Sequence, residues 1–192
     1  MIRVAGPGDV EVVGELVREL AAYEQEADRV AMTPVDLQAA LFGPVPAAYC
    51  LVATADQPSG GVTPIGGPPP IGVVHPSPHP PPVVGFAIWH PTFSTWTGQS
   101  GMYLIDLFVR PEHRRGGHGR ALLAALAATC VERGYLRLDW AVLDWNTPAQ
   151  AFYRSLAAQP LTGWSTWRVD GDALTDLAAL ARPRPGAIAD PA

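Results

Sequence analysis

The sequence predicts an α/β (α+β) domain built around one mixed sheet. Two observations carry that expectation. Short apolar runs rich in β-branched and aromatic residues alternate with amphipathic stretches of helical period. Glycine, proline and helix-capping residues fall between the two kinds of segment. The chain of 192 residues is 48% hydrophobic and 16% charged, enough apolar material for one buried core and too much for a disordered chain.

Each element has a local reason. Residues 2–4 are a short apolar start. Asp9 is positioned to cap a helix reaching Tyr23, with Val10, Val13, Leu16, Val17 and Leu20 on one face. Thr33-Pro34 opens a second helix that ends near Gly43. Residues 49–53, 83–90, 102–109 and 136–143 read as strands, and residues 164–169 as a last one. A helix spans about 117–133 and stops at Gly134. Asn146 caps another through about Leu156, and residues 172–180 form a terminal helix.

One stretch breaks the pattern. Residues 56–82 hold ten prolines and five glycines, so they form neither a helix nor a central strand. They read as a surface insertion in a single domain of residues 1–181, with a docking site for a proline-reading module as the alternative. Residues 182–192 read as a flexible tail.

Charge and cysteine content narrow the function. The net charge is −5, and all thirteen basic residues are Arg, which argues against a general nucleic-acid binder. Cys50 and Cys130 are too few for a disulfide framework or a cysteine zinc site, so no metal is expected. The start lacks a signal-peptide run, and the apolar segment 121–131 is too short to span a bilayer. The expectation is a cytoplasmic protein without membrane or nucleic-acid partners.

The chemistry concentrates in Leu107-Phe108-Val109-Arg110-Pro111-Glu112-His113-Arg114-Arg115-Gly116-Gly117-His118-Gly119-Arg120. A hydrophobic strand runs through a basic, glycine-rich loop into a helix. Helix N-termini present unpaired N–H groups and positive partial charge, and glycines let that backbone approach a phosphate. Arg114, Arg115 and Arg120 add charge. The stretch reads as an anion site for a pyrophosphate, or else as an ordinary glycine-rich helix start. Neither a Walker A loop nor GxGxxG spacing is present.

With Arg114-x-x-Gly117-x-Gly119 between strand and helix, the sequence resembles the GNAT N-acetyltransferase superfamily. It is most similar to the spermidine/spermine (diamine) and thialysine N-acetyltransferase branch. Glu19-Leu20-Ala21-Ala22-Tyr23-Glu24, Tyr49-Cys50-Leu51-Val52-Ala53, Val84-Gly85-Phe86-Ala87, Tyr103-Leu104-Ile105-Asp106-Leu107-Phe108-Val109, Val142-Leu143-Asp144-Trp145-Asn146 and Phe152-Tyr153 carry the same likeness. The resemblance implies a mostly antiparallel sheet whose central strands splay apart, acetyl-CoA as acetyl donor, direct attack by a small-molecule amine, and a homodimer. It implies that acetyl-CoA is held by Leu107, Phe108, Val109, Arg114, Arg115, Gly116, Gly117, His118, Gly119, Arg120, Asn146 and Tyr153. Tyr153 would be the general acid that protonates the leaving thiolate. From the residues alone, Asn146 is also an N-cap and Tyr153 a core aromatic. Both cysteines read as core residues.

For the acceptor end, the resemblance implies Tyr23, Glu24, Trp96, Asp106 and Trp164: carboxylates among aromatics, which suit an ammonium group. Asp106 stands out as the one charged residue between Asp56 and Arg110, in a strand that reads as buried, where a carboxylate needs a partner or a function. Members that acetylate polyamines carry a Glu just before this Asp, acting as base through water; here it is Ile105. An acidic residue shortly before Trp164 is also missing. His90 is a candidate substitute base. Protein or peptide N-acetylation, and a weakly catalytic CoA-binding module, are the competing functions.

Overall fold

The computed structural model describes residues 1–55 and 81–181. Most of the proline-rich stretch and the tail from 182 onward lie outside the described residues. The chain divides into two compact units, Met1–Ala141 and Val142–Ala192.

The first unit is a sheet covered on both faces. Its strands are β1 (Ile2–Val4), β2 (Tyr49–Thr54), β3 (Val83–Ser94), β4 (Gln99–Val109) and β5 (Leu138–Trp140), in the spatial order β1-β2-β3-β4-β5. The first three pairings are antiparallel and β4–β5 is parallel. The mixed, mostly antiparallel sheet thus matches expectation. Helices α1 (Val10–Tyr23) and α2 (Pro34–Phe42) bury Val13, Leu16, Leu20, Leu37 and Leu41 in one cluster with Phe86, Ile88 and Phe108. Helix α3 (His118–Arg133) packs against all five strands and buries Leu122, Leu123, Leu126 and Cys130.

Capping follows local chemistry, with one correction. Thr33 and Asp36 form a reciprocal capping box at α2: Asp36 N–H donates to Thr33 Oγ1 (3.2 Å) and Thr33 N–H to Asp36 Oδ2 (2.9 Å). Gly134 ends α3 in the left-handed region, at φ 69°. Asp9, expected to cap α1, does not hydrogen-bond into it. A 3-10 turn at Pro7–Asp9 precedes the helix, and the Asp9 carboxylate turns back to accept from Gly6 N–H (2.7 Å) and from Arg3 (2.6 and 2.7 Å). These donors hold its pKa below the ordinary carboxylate value.

The sheet departs from the expected bounds at two ends. The β3–β4 hairpin continues past residue 90 to Ser94 and back from Gln99, because cross-strand pairing continues through Pro91 and Gly101. Conversely, β5 is only Leu138–Trp140.

The second unit contains α4 (Thr147–Arg154) and α5 (Gly171–Ala179). Asn146 caps α4, its Oδ1 accepting from Ala149 N–H at 3.2 Å. The expected strand at 164–169 is absent; these residues have no regular structure and are exposed.

Candidate active site

The central feature is that β4 is paired on both edges for only part of its length. Its parallel partner covers Met102, Tyr103 and Leu104 and then stops. Residues 106–109 keep β3 on one side, and β5 does not pair with residues 105–109 on the other. Arg110 N–H donates to Val84 O at 2.9 Å, toward β3. Strand residues alternate the side to which they present their polar groups. The N–H groups of Phe108 and Asp106 therefore face β3, and those of Leu107 and Val109 face the open edge. The two central strands, expected to splay apart, are paired only between Met102–Leu104 and Leu138–Trp140.

A bulge marks the changeover. Register shifts between Ile88 and Trp89, which pair with Asp106 and Leu104, so Ile105 is the extra residue. Ile105 is 46% exposed, large for an isoleucine in a central strand. Asp106 shares a face with Ile88, a member of the α1–α2 core.

That face brings two expected acceptor residues together. Burial raises the Asp106 pKa above its ordinary value. Burial is also the largest cause raising Glu24, followed by repulsion from Asp106 and then Glu26. The Asp106 carboxylate thus reaches Glu24 electrostatically although 82 residues separate them in sequence. A cation placed between them would relieve both costs.

Trp96 is not brought to this pair within one chain. It lies in the β3–β4 turn, whereas Asp106 is seven positions into β4 from the Gln99 end, roughly 20 Å along the strand. Trp164 and Tyr153 belong to the second unit. There Tyr153 lies on α4 with its ring 5.3 Å from that of Phe152. His90 packs against Tyr103 at 5.6 Å, and its Nδ1 lies 2.9 Å from Pro91 O. A carbonyl only accepts, so neutral His90 carries its proton on Nδ1.

Beyond Val109, the chain turns into α3 through left-handed backbone. A 3-10 turn, Pro111–His113, leads into Arg115 at φ 65° and Gly117 at φ 85°. A non-glycine residue in the left-handed region is strained and uncommon. Left-handed residues within such a turn aim successive N–H groups into a concavity suited to anions. Gly117 is the N-cap of α3, so no side chain caps this 16-residue helix, and its first turn carries no acidic residue. A Cβ on Gly117 would meet nothing within 4 Å. The open space at Gly117, the N-terminus of α3 without a side-chain cap, and Arg115 and Arg120 close in sequence fit a pyrophosphate.

The Acetyltransferase (GNAT) family profile matches residues 73–157. A thialysine N-epsilon-acetyltransferase of Bos taurus is 36% identical over 181 residues, 93% of this chain and 96% of that protein. The chain belongs to the GNAT acetyltransferase family. An L-ornithine N5-acetyltransferase of Arabidopsis thaliana is 39% identical over 92 residues, 48% of this chain and 40% of its own length. Among solved structures, an integron cassette protein from Vibrio cholerae superposes with a TM-score of 0.65, at 24% identity over 93% of this chain and 96% of that one. It shares the GNAT fold.

Sequence reasoning missed one part of this site, the ties that Arg110 and Arg114 make from the loop to α1. Arg110 makes a bidentate bridge to Glu19, its Nη2 donating to Oε1 at 2.8 Å and its Nε to Oε2 at 3.1 Å, and approaches Glu15 at 3.7 Å. Arg114 lies over the Tyr23 ring. The signal was the spacing of Glu15, Glu19 and Tyr23, four residues apart on one helix face. Among the described residues, no three His, Cys, Asp or Glu side chains group as a metal site, and no helix is long and apolar enough to cross a membrane.

Proposed function

We propose that this acetyltransferase moves the acetyl group of acetyl-CoA to a primary amine of a small molecule, of the thialysine, ornithine or polyamine type. The observation that carries the reading is the open edge of β4 at residues 105–109, which leads into the uncapped N-terminus of α3. Leu107 and Val109 N–H groups bind the pantetheine arm, and Leu107 polarises the thioester carbonyl as an oxyanion donor. The backbone of residues 115–120 holds the pyrophosphate. The family likeness also assigns Asn146 and Tyr153 to acetyl-CoA.

At the acceptor end, Glu24 and Asp106 attract the ammonium form, with Tyr23 beside them. The neutral amine attacks the carbonyl carbon, the C–S bond breaks, and Tyr153 gives its proton to the thiolate. Ile105 cannot serve as base, so removal of the amine proton falls to another group or to water. An amine of pKa near 10 is about one part in a thousand neutral at pH 7, so turnover continues without a dedicated base. One acidic contact fewer at residue 105 disfavours a multiply charged polyamine relative to an amino acid with a single side-chain amine.

The protein acts as a cytoplasmic homodimer in this reading. Trp164, Trp167, Leu174, Leu177 and Leu180 are all exposed in the single chain, an apolar surface that a second copy would cover. Trp164 and Trp96 then join an acceptor site across the dimer. Both cysteines are buried, and burial pushes the Cys50 thiol up to about 12, which suits core residues and not nucleophiles.

The test is a panel of amines with acetyl-CoA, reading thiol release and product mass, with light scattering for the dimer. Thialysine or ornithine should outperform spermidine. Release no faster than hydrolysis across the whole panel would overturn the assignment.

A further inference from the structure

Arg114 opens the glycine-rich motif, and its charge suggests a phosphate ligand. Its side chain goes elsewhere. Arg114 Nε donates to Val109 O at 2.9 Å. Its guanidinium carbon stands 4.8 Å from the Tyr23 ring centroid and 5.5 Å from that of Phe108. Val109 is the last residue of the open edge, and its carbonyl faces the same way as its N–H. Tyr23 is the last residue of α1, and Glu24 follows it with its N–H on Leu20 O at 2.9 Å. One planar group therefore touches the acetyl-CoA edge of β4 and the helix end that presents an acceptor carboxylate. Four residues earlier, Arg110 fastens the same α1 face through Glu19.

We propose that Arg114 is a positioning residue that sets the acceptor carboxylate Glu24 against the acetyl-CoA edge of β4, and is not a phosphate ligand. The inference rests on the acetyl-transfer reading above. The physical requirement is shape, not charge alone. A guanidinium donates in its plane to a carbonyl while its faces lie on aromatic rings, and an ammonium cannot do both. Substitutions at Arg114 should therefore act on the amine, and lysine should fail to replace arginine. Pyrophosphate affinity stays with the backbone donors and with Arg115 and Arg120.

The experiment compares Arg114→Lys, Arg114→Met, Tyr23→Leu and the double variant Arg114→Met/Tyr23→Leu in the full chain. Calorimetry gives the CoA Kd from low to high salt, and steady-state kinetics gives KM for the best amine of the panel. Both Arg114 variants should raise the amine KM about tenfold and lower kcat, since displaced reacting groups are costly. CoA affinity should stay within about threefold, with unchanged salt dependence. The double variant should be no worse than the poorer single variant, because the two side chains act through one contact. The proposal fails if Arg114→Lys matches wild type while Arg114→Met binds CoA more than about tenfold weaker with a flatter salt dependence, the behaviour of a point-charge phosphate contact. It fails equally if the Arg114 and Tyr23 effects on amine KM simply multiply. Should Arg114→Met not fold, Arg114→Lys decides by the same two readouts. A wild type that acetylates no amine refutes the functional reading instead, and the CoA titrations detect a phosphate role for Arg114 regardless.

Discussion

The two halves of β4 differ in one respect that accounts for much of the chemistry. Residues 102–104 have β3 on one edge and β5 on the other, and their polar groups are used in building the sheet. Residues 106–109 have β3 alone, and Ile105 is bulged out of the pairing. The side chains do not announce the change, since Leu104 and Phe108 are both buried hydrophobics. What differs is the neighbouring strand and the Ile105 bulge. A buried sheet gains its stability from satisfied ladders, so an edge opened beside the core marks where a substrate can supply the missing partners. The cost of holding charge accompanies it: Asp106, with its raised pKa, sits immediately after the bulge.

The largest test removes what the open half leads to. Gly117→Glu puts a carboxylate into the space by the α3 N-cap and strains a backbone at φ 85°; CoA binding should be lost, as measured by calorimetry on folded protein. Next, Tyr153→Phe should lower kcat by roughly 10²–10⁴ while CoA affinity is kept, the usual range for general acid catalysis. A change under about twofold would leave Tyr153 a packing residue.

Proline substitutions separate the two edges of one strand. Phe108→Pro removes an N–H that faces β3 and should destabilise the fold by about 3 kcal/mol or more. Leu107→Pro removes one that faces the open edge; it should fold, yet lose about 10²–10³ in kcat if that N–H polarises the thioester. Equal unfolding of both, by thermal melts, would contradict the alternation.

Asp106→Asn should separate stability from function. A half-buried acid with a raised pKa keeps its proton longer when folded, so the folded state binds more protons than the unfolded state above the ordinary value of 3.8. Stability therefore falls as pH rises through that window and through the raised value. The amide avoids this loss. At pH 7 it should raise the melting temperature by roughly 2–4 °C, the effect of about 1 kcal/mol in a protein this size, while raising the amine KM. A lower melting temperature would mean that Asp106 has a stabilising partner. The smallest effect expected is from Ile105→Glu, a gain of a few-fold in kcat from an added base. Wild-type protein that already acetylates spermidine as well as its best amine would remove the weight placed on Ile105.

Much of the site was legible because its parts are local. The run from Leu107 to Arg120 shows a strand, a turn and a glycine-rich helix start within fourteen residues, and Gly134, Thr33 and Asn146 end or cap helices where a reading of three or four neighbours places them. Asp9 misled for a related reason. Its sequence setting is that of a cap, but Arg3 and Gly6 N–H compete for the same carboxylate, and a charge-assisted bidentate pair is the stronger partner. The residues expected as a strand at 164–169 have apolar content but form no strand in the single chain.

By itself, the sequence determined most of the element types and the basic, glycine-rich run before α3, since each depends on residues within a turn or two of one another. Only the tertiary structure decided where β5 stops along β4, that Ile105 is bulged outward, that Glu24 and Asp106 share a neighbourhood, and that Arg110 and Arg114 reach α1 across 91 residues. Strand pairing and long ion pairs are choices among distant partners, and those choices are settled when the core closes on α1 and β4 together.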